Sequence, residues 1–157
     1  MPRRGTIQKR IPLPDGKYNS ILVQQFINKV MESGKKSTAE KIVYEAMELA
    51  SSRLKKGPME ILEIALRNAG PVIEVKPRRV GGATYQVPVE VKSDRRQSLA
   101  MRWLLMSARG RGGKPMRERL ATELIDAYNN TGNTIKRKDD VQRMADANRA
   151  FSHYGRF

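Results

Sequence analysis

The segment RGRGGKP, residues 109–115, sets glycines beside cations, a combination in which backbone N–H groups and basic side chains can hold phosphate. A nucleotide-binding P-loop needs Gly six residues before its Lys and Ser or Thr directly after it. Ala108 takes the first of those positions and Pro115 the last, so nucleotide binding of that type is excluded. Arg109, Arg111 and Lys114 remain as ligands for backbone phosphates, with a flexible linker as the plainer reading. The rest of the chain offers little for catalysis. His153 is the only histidine and lies near the last residues, where a surface or packing role suits it. Without cysteine, disulfides and thiolate metal sites are excluded, and no carboxylate cluster of metal-binding form stands out. Glu40, Glu45 and Glu48 lie among lysines on one helical stretch and read as solvated charge pairs. The expectation is a protein that is not an enzyme, with no catalytic residues, no metal and no cofactor.

A second basic feature is EVKPRRVGGATYQVPVEV, residues 74–91. Two apolar, β-prone runs flank Gly81 and Gly82, and Lys76, Arg78 and Arg79 sit close to that turn. The whole chain, 157 residues with 39% hydrophobic content, carries a formal net charge of +15. That is enough apolar material for one folded domain, and the self-repulsion calls for a polyanionic partner, nucleic acid or an anionic membrane surface. No apolar run approaches the roughly 18 residues of a membrane span, and the first residues lack the apolar centre of a signal peptide, so a soluble protein of the cell interior is expected.

The elements that would carry these cations follow from periodicity. Residues 1–18 hold Arg3, Arg4, Lys9, Arg10 and Lys17 among Pro2, Pro12 and Pro14, which predicts an extended basic arm. Leu22, Phe26 and Val30 begin a first helix, with Gly34 as its stop. Ser37–Glu40 reads as a capping box for a second helix lined by Ile42, Val43, Ala46, Leu49, Ala50 and Leu54. Pro58 opens a third, with Ile61, Leu62, Ala65, Leu66 and Ala69 inward and Gly70-Pro71 ending it. The period then changes from 3.6 to 2 over about residues 72–92, predicting a two-stranded ribbon with one apolar face near its base and a projecting tip. Asp94 resembles the cap of a fourth helix that puts Leu99, Trp103 and Met106 towards the core. A fifth helix carries Leu120, Ala121, Leu124, Ile125 and Tyr128, and a sixth runs from about Thr134 towards Phe151 with Val141, Met144, Ala145, Asn148 and Phe151 on one side. The fold class is mainly α, a single domain of about six helices with an extended β-hairpin between helices three and four. Residues 1–18 are the arm and 19–157 the helical domain.

The positive charge is segregated. Over residues 20–70 the lysines and arginines are nearly balanced by Glu32, Glu40, Glu45, Glu48, Glu60 and Glu63, whereas the arm, the ribbon, the 109–119 region and the last helix hold the excess. A surface that wraps a polyanion needs such segregation and a merely solubilising one does not. The last helix carries Lys136, Arg137, Lys138, Arg143 and Arg149, but Asp139, Asp140 and Asp146 interrupt the charge, so no membrane partner is expected. A DNA-binding regulator using helices five and six, with NNTGN as the turn of a helix-turn-helix, is the alternative from another class.

The opening PRRG, GGATYQVPVEV, RWL, ARGRGGKPM and the late RMADANRAFSHY carry a further reading. With these motifs the chain resembles the small-subunit ribosomal protein seven family, a universal ribosomal protein family, in its bacterial or plastid type, over essentially its full length. The resemblance implies a structural, primary binder of the three-prime major domain of small-subunit rRNA that nucleates assembly of the subunit's head. It also implies a helical body with a basic hairpin at the tRNA exit site near the mRNA path, contact with small-subunit protein eleven and other head proteins, and in many bacterial members binding to their own messenger. Localisation would be cytoplasmic, in the small ribosomal subunit, or the plastid stroma for a plastid-encoded chain. Carried over residue by residue, the rRNA contacts fall on Arg3, Arg4, Lys9, Arg10, Lys35, Lys36, Arg95, Arg96, Arg102, Arg109, Arg111, Lys114, Arg117 and Arg119. Lys76, Arg78, Arg79 and Arg143 are expected on the face towards exit-site tRNA and mRNA. Arg78 and Arg79 offer planar donors for phosphates and bases, Tyr85 either stacks on a base or packs on the body, and Trp103 belongs to the core.

Overall fold

A computed structural model describes residues 11–156. Among them lie six helices, α1 (Ile21–Val30), α2 (Lys36–Leu54), α3 (Pro58–Ala69), α4 (Ser93–Gly110), α5 (Met116–Tyr128) and α6 (Gly132–Ala147), with a final 3-10 turn over Arg149–Arg156. Between α3 and α4 stand β1 (Ile73–Val80) and β2 (Ala83–Glu90), one antiparallel pair. The apolar stripes anticipated from periodicity converge on one core with Phe26 and Ile27 of α1, Val43 of α2, Leu62 of α3, Leu104 of α4, and Leu120 and Leu124 of α5, joined by Val23 and Met47, which periodicity had not singled out. Helix α5 is central, packing on α2, α3, α4 and α6. Pro58 does open α3 after Gly57, and Gly70 closes it.

Three local expectations are corrected. The capping box does not form: α2 begins at Lys36 with Lys35 at the cap position and no side-chain bond there. Ser33 and Gly34 adopt φ of 52° and 72°, which turns the chain so tightly that the helix starts before Ser37, and Gly34 belongs to this connection, not to the end of α1 at Met31. Asp94 is likewise inside the first turn of α4, after Lys92 at the cap. There its charge faces the positive end of the helix. Helix α6 starts at Gly132, where φ is +88° and a Cβ would lie 2.8 Å from that of Asp126, and it ends at Ala147. Its buried line is Thr134, Ile135 and Ala145, with Val141 against Trp103, so Met144 falls off the stripe and is 52% exposed.

The ribbon has the expected turn, with Gly81 and Gly82 both at positive φ (57° and 87°) as a type I′ connection needs. Its register corrects the single apolar face. Lys76 pairs with Val87 and Val75 with Pro88. Directly paired residues share a face, so the apolar positions of the two strands lie on opposite faces. One face carries Glu74, Lys76 and Arg78 with Tyr85, Val87 and Val89, and Arg79 points to the other. The base rests on α6 and the terminal turn, where the Tyr85 and Phe151 rings lie 5.1 Å apart, while residues 76–84 are exposed as a projecting tip.

The polypeptide preceding α1 is fastened at Asp15. This carboxylate is 3% exposed and accepts the N–H groups of Lys17 (3.0 Å), Tyr18 (2.8 Å) and Ser20 (2.8 Å) and the Tyr44 hydroxyl of α2 (3.1 Å). Burial by itself would raise the Asp15 pKa, but these bonds outweigh it and leave the group below the usual range. Burial and the bond to Asp15 push the Tyr44 hydroxyl up to about 12. A depressed carboxylate adds stability that is complete above about pH 4 and is lost as pH falls through the folded value, and a raised phenol adds stability that is complete below about pH 10 and is lost as pH rises. Thermal melts across pH should therefore show both limbs, with Asp15→Asn flattening the acid one and Tyr44→Phe the alkaline one. Unchanged limbs in both variants would show that this cluster is not coupled to folding.

Candidate nucleic-acid interface

The cations singled out in the sequence separate by what their side chains touch. Arg3, Arg4, Lys9 and Arg10 lie outside the described residues. Lys35, Arg79, Arg102 and Lys114 are exposed, with no side-chain hydrogen bond or ion pair to another described residue. Such groups can neutralise phosphate without giving anything up.

A second set sits in solvent-exposed ion pairs: Lys36 with Glu40 (3.8 Å), Arg109 with Glu32 (2.7 Å), Arg117 with Glu45 (3.0 Å) and Arg143 with Asp140 (2.6 Å). Pairs of this kind contribute roughly 0–1 kcal/mol and open readily to a stronger anion. Lys76 belongs near them, held 3.0 Å from Glu74.

The third set is built into the fold. Arg95 directs Nε at both carboxylate oxygens of Glu74 (2.8 Å each) and adds Nη2 at 2.7 Å, fastening α4 to the base of β1. Burial alone would raise the Glu74 pKa, yet the bonds from Arg95 and then Lys76 hold this carboxylate below its ordinary range. Arg96 donates Nε to the Gly70 carbonyl (3.2 Å) and thereby satisfies an end group of α3. Arg111 reaches Glu123 (3.0 Å) and Asp126 (2.5 Å) of α5. Arg119 donates Nη1 to the carbonyls of Arg111 (2.7 Å) and Arg109 (3.3 Å).

A cleft of about 420 Å³ brings Lys35 and Thr38 at the start of α2 together with Arg109, Met116 and Arg119. Glu32 is among its lining residues, and the buried Nε atom of Arg119, which also lines it, has no hydrogen-bond partner among the described residues. The first-turn N–H groups of α2, uncapped by any side chain, add a positive helix end. Phosphate is the chemistry this arrangement suits.

Three participants were missed in the sequence. Glu123 is completely buried, and its position three residues after Leu120 and four before Ala127 on the apolar face of α5 was the available signal. Asp15 and Glu74 gave none, since both sit among polar or alternating residues. Trp103 is buried as expected, in a small cluster with Val91 and Leu99, and the Arg137 guanidinium lies 5.9 Å from its ring centre. His153 is exposed, its Nδ1 2.9 Å from the Ala150 carbonyl.

A helix-turn-helix reading of α5 and α6 meets an obstacle. A recognition helix offers its N-terminal residues to base edges. Thr134 and Ile135, in the first turn of α6, are instead buried, and Thr134 donates its hydroxyl to Glu123 (3.0 Å). No group of three or more His, Cys, Asp and Glu able to hold a metal occurs among the described residues, and no helix there is long and apolar enough to cross a membrane.

Comparison with known proteins bears on the same surface. Residues 2–149 match the family described as Ribosomal protein S7p/S5e. The chain is 83% identical over 157 residues to the Small ribosomal subunit protein uS7 of Roseiflexus castenholzii, covering all of both chains. It is 77% identical over 156 residues to the protein of that name from Chloroflexus aurantiacus, covering 99% of each. With the one from Thermomicrobium roseum it shares 59% over 154 residues, 98% of this chain and 99% of the relative.

Proposed function

Since this chain belongs to the ribosomal protein S7p/S5e family, we propose that it is a structural, non-catalytic protein of the small ribosomal subunit. It binds the three-prime major domain of the subunit's rRNA and nucleates assembly of the head. The observation that carries this reading is 83% and 77% identity, over essentially the full length, to proteins named for the small subunit, in a chain whose exposed cations Lys35, Arg102 and Lys114 have no side-chain partner among the described residues. Arg109 and Arg117, in exposed pairs, join them as phosphate contacts. Arg119 at the cleft, Lys36 in its exposed pair with Glu40, and the arm residues Arg3, Arg4, Lys9 and Arg10 complete the rRNA face. The ribbon tip serves the exit-site tRNA and the mRNA, and protein eleven and other head proteins are neighbours. Sedimentation of a cell extract tests the reading. Co-migration of the tagged protein with small subunits supports it, and a pool confined to free or nucleoid fractions removes it.

The division between body and ribbon has its own test. Removing the whole stretch 78–85 would also remove Tyr85 from Phe151. Excising residues 79–84 and closing the gap with Asn-Gly keeps that contact and a favourable turn. The shortened protein is expected to enter small subunits at the normal level, because the excised residues are exposed, and to speed tRNA dissociation from the exit site severalfold. Failure to assemble would make the tip part of the docking surface, and normal tRNA retention with normal frame maintenance would leave it without an exit-site role.

A further inference from the structure

The loop 111–115 joins α4 to α5 and carries Gly112, Gly113 and Lys114. Gly113 has φ of +78°, and neither glycine has a neighbour within 4 Å of where a Cβ would stand. Such a stretch has few internal restraints and would sample many shapes. It is held from both sides. The Arg111 side chain turns inward to Glu123 and Asp126, and the Arg111 carbonyl accepts a bond from Arg119. Glu123 is 0% exposed and accepts a further hydrogen bond, on its other oxygen, from Thr134 of α6.

We infer that Arg111 and the buried Glu123 form an anchor that positions the glycine loop for RNA, and that Arg111 is a positioning residue and not a phosphate ligand. The inference rests on the proposal that this surface binds rRNA. Arg111 commits Nε and Nη2 to Glu123 and Asp126, so turning those donors to a phosphate would leave the buried Glu123 with only Thr134, and an uncompensated buried carboxylate is costly. Burial disfavours the Arg111 charge, but Glu123 and then Asp126 more than offset it, so the guanidinium is held in its charged, paired form. The loop cation left to meet the nucleic acid is Lys114, exposed and unpaired among the described residues. With the anchor in place Lys114 is presented in advance. Without it, the loop must be ordered during binding.

The signature is unusual because it opposes simple electrostatics. Glu123→Gln makes the full-length protein more positive by one charge, at a residue that RNA cannot touch. It is expected to weaken binding of the rRNA domain about three- to tenfold while leaving the salt slope unchanged, since the same phosphates are met at a higher ordering cost. Arg111→Lys keeps the charge but loses the planar fork, and should weaken binding in the same way. Amide exchange at Gly112, Gly113 and Lys114 of the free protein should accelerate in both. Should Glu123→Gln fail to fold, Arg111→Lys decides. Tighter or unchanged binding by the folded variants, or a slope lowered by Arg111→Lys, overturns the anchor. Lys114→Ala is the control, expected to lower the slope by about 0.7–0.9. If the unmodified protein shows no salt-dependent binding to the rRNA domain, the reading of the surface fails, an outcome distinct from failure of the anchor.

Discussion

Replacing Lys35, Arg102 and Lys114 together by alanine is expected to weaken binding of the rRNA domain by on the order of a hundredfold at about 0.1 M salt, with no loss of folding. Each phosphate contact contributes about 0.7–0.9 to the slope of log affinity against log salt, so three lost contacts lower it by roughly 2 to 3 units, which over one decade of salt is about a hundredfold. The fold should survive because all three side chains are exposed and hold no described partner. A charge-matched control is Arg53, Lys55 and Lys56, also exposed, at the opposite end of α2 from Lys35. A helix of 19 residues is about 28 Å long, well beyond the roughly 10 Å screening length at that salt, so changing these three should alter affinity only a few-fold. Filter-binding titrations over a salt series decide the matter. Equal losses in the two triple variants would mean that binding follows net charge and that the cleft beside Lys35 has no special part.

Leu124→Ala is expected to cost about 3–5 kcal/mol and to lower the melting temperature by roughly 10–15 °C. Leu124 is fully buried on α5, the helix that meets α2, α3, α4 and α6, and so many neighbours cannot all relax into the space left. Domains of this kind are stable by about 5–15 kcal/mol in total, so a loss of this size is a large fraction. Met144→Ala on α6 makes the comparison, because that side chain is 52% exposed and should change stability by no more than about 0.5 kcal/mol. Calorimetry on both variants is the measurement. A cost for Leu124→Ala near that of Met144→Ala would show that α5 is not the centre of the core.

Asp15 also changes how the basic arm is regarded. The sequence marked it as the one acid among the cations of residues 1–18, a passive exception. In the fold it ties residues 15–20 to Tyr44, so the chain leaves the body at a fixed point. Nothing within those eighteen residues pointed to a partner 29 positions away on α2.

The sequence by itself determined the six helices, their inward faces apart from Met106 and Met144, which are exposed, the ribbon and its Gly81-Gly82 turn, and the excess of positive charge. These are legible because helix and strand periods, proline and glycine act over a few neighbouring residues. Where a strong local tertiary demand intervened, as in the tight turn at Ser33 and Gly34, the predicted cap at Ser37 was displaced. Only the tertiary structure decided which cations are available. Arg95 and Arg102 look alike on one helix, as do Arg111 and Lys114 in one loop. Yet Arg95 is clasped by Glu74, 21 residues earlier, and Arg111 by Glu123, 12 residues later, while Arg102 and Lys114 are left outward. A guanidinium binds whichever anion the folded chain brings within about 3 Å. That depends on how distant helices pack, which local sequence spacing does not encode.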